Sequence, residues 1–311
     1  MKKIGIIGIN DGNGHPYSMS AMFNGYDPKA LNDLCPFNLI KEYLPRDHRN
    51  EFLINDAKVT HVWTQNEKES FKISKVSKIP NIVPNYLDLI GKVDAVIIAR
   101  DDIEKHFEYI KPFIKEKIPL FIDKQLVKTK SEFISLTNML DENQLIFSAS
   151  PMRYSRLLED FMRDDQSSYK SIHGISRVNW IRYAHHLLEA ICSIYGYDIE
   201  FIQSINSKKD HDIIQIRYNS GQNIILEFIK NISLPIQLNF YSDEKPPTSL
   251  HFGDFFYGFH KMMKCFSNML NTGVMPIEMN EILSISKIVI AGQISIENNG
   301  LKISPKTLEA I

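Results

Sequence analysis

Over the first 150 residues, short apolar runs alternate with longer amphipathic stretches. The runs cover residues 4–9, 59–64, 95–99, 120–122 and 145–147, and they contain almost no polar side chains. Runs this short and this uniformly apolar fit strands buried on both faces of a sheet. Between two of them, Ile103, Phe107, Ile110 and Ile114 recur at steps of four, three and four, which lines one face of a helix. Asn66 with Glu69, and Thr129 with Glu132, have capping-box spacing at the starts of two more. The alternation predicts a parallel sheet with helices on both sides. Right-handed crossovers make it a doubly wound Rossmann fold. Residues 24–56 interrupt the rhythm: they are polar, with scattered proline and no clear repeat, and read as an insertion.

The second half has a different pattern. Strands are expected over residues 173–179, 200–207, 212–218, 223–230 and 235–242, with a hairpin turn at Tyr218-Asn219-Ser220-Gly221-Gln222. Helices are expected over 155–163, 185–195, 254–270 and 280–297. Consecutive strands without helices between them imply a mostly antiparallel sheet. The expected fold class is α/β, a Rossmann domain over residues 1–150 followed by an α+β domain over 151–311 for substrate binding and oligomerisation.

Composition narrows the function. Of 311 residues, 43% are hydrophobic and 23% charged, which suits a soluble globular chain, and the net charge of −1 gives no basic surface for nucleic acid. The apolar run after Lys2 and Lys3 is broken at Asn10 and Asp11, so it reads as a buried strand and not as a signal peptide. No stretch is apolar enough to span a membrane. Cys35, Cys192 and Cys265 lie too far apart for a disulfide framework or a metal motif. A cytoplasmic protein with no metal is expected.

Candidate chemistry sits at the ends of the strands. The first strand runs into Gly8-Ile9-Asn10-Asp11-Gly12-Asn13-Gly14-His15-Pro16. Such a loop before a helix brings backbone N–H groups close to a phosphate, or it is simply a tight turn. Against the dinucleotide fingerprint G-x-G-x-x-G, Asn10 stands in place of the second glycine. After the second strand, Thr64 and Gln65 occupy the place where NAD enzymes carry an acid for the ribose. Thr64 is neutral, and Lys68 is within reach of a 2′-phosphate, so NAD and NADP both remain open. Lys124, after the run 120–122, stands at the carboxyl edge of the sheet. A lysine partly desolvated there can give a proton to a reacting oxygen; one left in solvent is an ordinary loop residue.

Together these motifs resemble the glucose–fructose oxidoreductase/inositol dehydrogenase/MocA (Gfo/Idh/MocA) family over nearly the whole chain. Val93-Asp94-Ala95-Val96-Ile97-Ile98-Ala99, followed by the helical His106, is similar to the pattern after the family's fourth strand. The family's Glu-Lys-Pro is matched by Asp123-Lys124-Gln125. Its Asp-x-x-x-His-x-x-Asp is matched by residues 182–189, where His186 and Glu189 hold their places and Arg182 replaces the Asp. The segment 256–299, with Gly273 and Pro276 between two helices, is also similar.

The resemblance implies an NAD(P)-dependent oxidoreductase acting on a sugar, nucleotide sugar or polyol, assembled as a homodimer or homotetramer. It implies catalytic roles for Lys124 and His186, and Tyr183 is a further candidate proton carrier. Cofactor contacts are expected at Gly8, Asn10, Gly12, Asn13, Gly14, Thr64, Gln65, Ala99, Arg100, Asp101, His106, Asp123 and Lys124. Arg182, which cannot act as a base, is expected to meet an anionic group on the substrate, together with Arg153 and His15. The competing readings are a nucleotide-binding protein without turnover, and a lyase or epimerase that recycles its cofactor.

Overall fold

The structure, a computed structural model, describes all residues except 47–51, 232, 234–235 and 309–311. The chain forms two compact units. The first comprises Met1–Val127, Leu136–Ala149 and Phe259–Met279, and the second comprises Lys128–Ser135, Ser150–Gly258 and Asn280–Ile311.

In the first unit, β1 (Lys2–Ile7) leads to α1 (His15–Asn24) and then to two further helices, α2 (Pro28–Leu34) and α3 (Asn38–Arg46). The region expected to lack regular structure therefore contains two helices. Asp27 caps α2 by accepting a hydrogen bond from the Ala30 N–H, and Ile40 and Leu44 bury one face of α3. Residues 47–51 of the expected insertion lie outside the described residues. The alternation then resumes with β2 (Ala57–Trp63), α4 (Glu67–Val76), β3 (Asn81–Ile82), β4 (Ala95–Ile98), α5 (His106–Lys115), β5 (Leu120–Ile122) and β6 (Ile146–Phe147), and α6 (Lys130–Thr137), which comes before β6 in the chain, belongs mostly to the second unit.

The sheet order is β3-β2-β1-β4-β5-β6, and every pair is parallel. The strand order reverses between β1 and β4, and in folds of this kind ligands bind beyond the carboxyl ends of the strands at that point. Ile4, Ile6 and Ile7 of β1 and all of Ala95–Ile98 in β4 are buried, which explains why these strands read as unbroken apolar runs. Truncating any of the three isoleucines to alanine would cost about 2–5 kcal/mol. Of the two capping boxes, Thr129 and Glu132 bond reciprocally through side chain and backbone N–H. Asn66 caps Lys68 N–H, whereas Glu69 pairs with Lys72. β3 has only two residues, too short for the pattern to reveal.

The second unit contains α7 (Arg156–Phe161), β7 (Ser171–Arg177), α8 (Trp180–Tyr195), β8 (Ile199–Lys208), β9 (His211–Tyr218), β10 (Asn223–Ile229), β11 (Ile236–Tyr241), β12 (Thr248–Phe252) and α10 (Met279–Glu297); α9 (Phe255–Thr272), which precedes α10 in the chain, belongs mostly to the first unit. Its sheet runs β12-β11-β7-β10-β9-β8 and is antiparallel except for the β7–β10 pair. Burial alternates strictly along β9 and β10, so one face is packed and the other is half-covered. The turn at residues 218–222 closes as expected, with Tyr218 N–H donating to the Gln222 carbonyl at 3.0 Å. Position 235, the first residue of an expected strand, lies outside the described residues.

The helix expected from residue 185 begins five residues earlier, at Trp180. Asn179 accepts from Arg182 N–H and Asp212 accepts from Trp180 N–H, so two side chains satisfy the first turn. Asp212 arrives from β9, a tertiary partner with no local sequence signal.

Candidate active site

In the first unit, the loop after β1 is shaped by packing as much as by any ligand. A Cβ on Gly8 would sit 2.3 Å from Pro16, and one on Gly14 would sit 2.4 Å from Ile40 and 2.7 Å from Phe37. These two glycines admit close approach of α1 and α3. Gly12 differs. Its φ is +81°, and nothing lies within 4 Å of where a Cβ would be. The Asp11–Gly12 turn is exposed, with open space beside it. Asn13 N–H donates to the Asn10 carbonyl at 3.1 Å and closes the turn.

Three expected cofactor contacts are already engaged within the protein. Thr64 Oγ1 donates to the Asn66 carbonyl at 2.6 Å. Gln65 Nε2 donates to the Ile9 carbonyl, and Gln65 Oε1 accepts from Arg100 Nη1 at 2.8 Å. Arg100 is buried, forks onto both carboxylate oxygens of Asp102 and stacks over Tyr109. These groups brace the carboxyl edge of the sheet.

Beside them lies a cavity of about 460 Å³, walled by Trp63, Ile82, Val83 and Pro84 and reached by Glu67. Glu67 is the first acid after β2. It stands three residues beyond Thr64, the position expected for a ribose acid, where the chain has already entered α4. A slot of mixed lining, with Trp63, Ile82, Val83 and Pro84 on one hand and Thr64, Gln65, Ser70 and the Glu67 carboxylate on the other, fits an adenosine and its ribose hydroxyls. With the open Asp11–Gly12 turn, the first unit fits a dinucleotide.

At the carboxyl ends of β4 and β5, Asp101 faces the Lys124 ammonium and Asp123 accepts from the Lys124 backbone N–H at 3.0 Å. Asp101 stands 3.9 Å from Lys124 Nζ, and Lys124 is only 5% exposed. Asp123, 1% exposed, accepts from Asn13 Nδ2 at 3.3 Å and meets His15 Nδ1 at 2.5 Å. Burial works against the charge on Asp123, but the imidazole of His15, with Lys124 and His106 nearby, holds its carboxyl well below the usual range. The His15 ring packs on Phe259 with centroids 4.8 Å apart. His106, fully buried, reaches the Arg100 carbonyl at 2.9 Å and the Gln125 carbonyl at 2.5 Å. The structure thus gathers Asn10, Asn13, His15, Asp101, Asp123 and Lys124 into one cluster. Ala99 ends the strand, with its N–H on the Ile7 carbonyl.

In the second unit, His186 is buried in the second turn of α8, and its Nδ1 lies 2.7 Å from Ser150 Oγ. Ser150 also accepts from Met152 N–H at 3.2 Å, which fixes its hydroxyl. Tyr183 packs edge-on to His186, with centroids 5.3 Å apart, and Arg177 lies over its other side. Ser150 precedes His186 by 36 residues, and no spacing rule connects them.

Arg182 is exposed. Arg153 is not set out toward a substrate: it bonds Glu281 Oε2 at 2.5 Å and Glu189 Oε2 at 3.3 Å, and Tyr197 Oη at 3.3 Å. Glu189 in turn meets His185 Nε2 at 3.1 Å. Glu189, the family-motif acid, therefore anchors a buried ionic network that also includes Glu281, which the sequence reading did not single out. Two cysteines, Cys35 and Cys192, are buried, and burial pushes the Cys192 thiol up to about 12. Among the described residues no group of three His, Cys, Asp or Glu side chains is arranged to hold a metal ion. No described helix is long and apolar enough to cross a membrane.

The comparisons agree with this geometry. The Gfo/Idh/MocA family model, described as an oxidoreductase family with an NAD-binding Rossmann fold, matches residues 40–150. The match begins after the divergent glycine loop. No curated protein sequence matches the chain. Among solved structures, myo-inositol 2-dehydrogenase from Lactobacillus plantarum is similar, with a TM-score of 0.74, 14% identity, and 97% of this chain and 99% of that chain covered. Scyllo-inositol dehydrogenase from Lactobacillus casei, solved with NAD(H) and scyllo-inositol, has a TM-score of 0.73 at 12% identity, covering 98% of this chain and 99% of that chain. An oxidoreductase from Thermotoga maritima has a TM-score of 0.69 at 13% identity, with 99% of each chain covered. Identities this low speak to fold alone, and it is over residues 40–150 that the chain matches the Gfo/Idh/MocA oxidoreductase family model, with its NAD-binding Rossmann fold.

Proposed function

We propose that the protein transfers hydride between NAD and a hydroxyl-bearing carbon of a sugar or polyol. The observation that carries this reading is Lys124: a buried lysine whose ammonium faces Asp101 and whose backbone N–H is held by Asp123, at the carboxyl end of β5, inside the segment that matches an NAD-binding oxidoreductase family. When bound, the dinucleotide supplies the hydride acceptor for oxidation or the donor for reduction. Glu67 accepts from the ribose hydroxyls and repels a 2′-phosphate, which favours NAD over NADP. The exposed Asp11–Gly12 turn would hold the pyrophosphate.

The chain's own part is proton handling. Lys124 donates to the substrate oxygen and stabilises charge on it, and Asp101 keeps the ammonium oriented. His186, in the second unit, is a further candidate proton carrier. Ser150 holds its Nδ1, so that Nε2 serves the substrate. Arg182, exposed where the family pattern has an acid, favours a substrate bearing a carboxylate or phosphate. The half-covered face of the second sheet pairs copies of the chain into dimers.

Calorimetric titration with NAD, NADH, NADP and NADPH tests the reading, once the preparation is shown to be free of carried-over cofactor. The expected result is micromolar binding of the NAD pair and at least about tenfold weaker binding of the NADP pair. Binding of none of the four would sink it.

A further inference from the structure

Gln125 follows Lys124 and stands where the family pattern has proline. Its side chain is 2% exposed, and neither its amide oxygen nor its amide nitrogen has a hydrogen-bond partner. Among the described residues it is the only side chain with two such atoms; the others in that state are single hydroxyls or single ring nitrogens. A buried primary amide with both ends unmet destabilises the fold, and proline or leucine would fill the same space without that cost.

The backbone of Gln125, by contrast, is held firmly. Its carbonyl accepts from His106 Nδ1 at 2.5 Å, and the other nitrogen of the same ring reaches the Arg100 carbonyl at 2.9 Å. One imidazole therefore ties Gln125 to the residue that follows Ala99 at the end of β4. β4 is the strand beside β1 at which the sheet order reverses. Gln125 thus sits on the edge where this fold class receives the reactive ring of a dinucleotide, next to the lysine assigned to proton transfer.

We propose that Gln125 reads the carboxamide of the nicotinamide. Its N–H donates to the carboxamide oxygen, and its oxygen accepts from the carboxamide NH₂. A primary amide is the one neutral side chain whose paired donor and acceptor match that group edge to edge. A turn about the flexible side-chain torsions presents it. The inference rests on the dinucleotide reading above and adds to it the residue that fixes which way the ring faces.

The test compares NAD with ADP-ribose, which has the same adenosine and pyrophosphate but no nicotinamide, on wild type, Gln125→Leu and Gln125→Pro. The expected result is that both variants bind ADP-ribose within about twofold of wild type and NAD about tenfold more weakly, the loss of one good hydrogen-bonded contact. Acetylpyridine adenine dinucleotide keeps the carbonyl oxygen but lacks the carboxamide NH₂, so the variants should lose less affinity for it than for NAD. The unliganded Gln125→Leu protein should melt higher, by roughly 2–4 °C, because the unmet amide is gone. If the variants bind NAD as wild type does, the inference is overturned. Equal loss of NAD and ADP-ribose overturns it as well, since the amide would then support the fold and not the carboxamide. Failure of wild type to bind either ligand brings down the dinucleotide reading, and this inference with it.

Discussion

Asn10 and Asp101 hold each other at both ends: Asn10 Nδ2 donates to Asp101 Oδ1 at 2.6 Å, and Asp101 N–H donates to Asn10 Oδ1 at 3.0 Å. The residue that departs from the glycine fingerprint is therefore the one that ties the β1 loop to the β4 loop. Asp101 Oδ2 faces Lys124. Asn10 thus sets the position of the carboxylate that orients the lysine.

Asn10→Gly should restore the second glycine of the fingerprint and weaken the protein. The expected loss is about 1–2 kcal/mol of unfolding free energy, from two hydrogen bonds at a part-buried site. Urea denaturation of the two proteins measures it. Equal midpoints and slopes would show that the pair contributes nothing to stability.

Lys124→Met keeps the bulk of the side chain and removes its charge. Turnover is expected to fall by ~10²–10⁴-fold, the range for a lost general acid or base. NAD affinity, read by calorimetry, should stay within roughly threefold, because the adenosine and pyrophosphate contacts remain. A variant that turns over at the wild-type rate removes Lys124 from the mechanism.

Ser150→Ala tests positioning and not chemistry. Losing one hydrogen bond to His186 Nδ1 is worth about 1 kcal/mol, or roughly fivefold in kcat with KM little changed. The pH–rate profile should move as well, since the hydroxyl fixes which ring nitrogen carries the proton. His186→Ala should cost far more in kcat. If Ser150→Ala leaves both kcat and the profile as they were, the serine is only a neighbour.

Asp123 makes stability depend on acid. Its folded value lies below the ordinary 3.8, so the unfolded chain takes up the proton first as pH falls. The stabilisation is complete above the ordinary value and is lost as pH drops through the folded one. Wild type should therefore lose stability more steeply than Asp123→Asn below about pH 4, and the gap between them should be constant above about pH 5. Denaturant midpoints across that range measure it. A gap that does not change with pH would mean the carboxylate is not specially stabilised in the native state.

Much of the fold was legible because both sheets obey simple periods. Ala95–Ile98 and Leu120–Ile122 are buried on both faces, and β9 and β10 alternate along every residue, so their strands announce themselves. The start of α8 did not, because Asp212 on another strand supplies part of its cap. Lys124 and His186 were found by position and motif spacing. Ser150, Glu281 and Glu67 were not: Ser150 and Glu281 meet His186 and Arg153 through space, and Glu67 stands three residues past the expected place. Arg153, read from its charge as a free anion contact, is engaged by two carboxylates that no local pattern discloses.

Gly14 faces Phe37 and Ile40, which follow α2 and begin α3. The extra helices are therefore part of the loop's mould and not an ornament that can be trimmed away. A graft that imports a relative's fingerprint loop alone will inherit a wall cut for a different shape. A graft that also replaces everything from α2 to β2 carries both halves of the fit, and it is the exchange that should yield a folded hybrid.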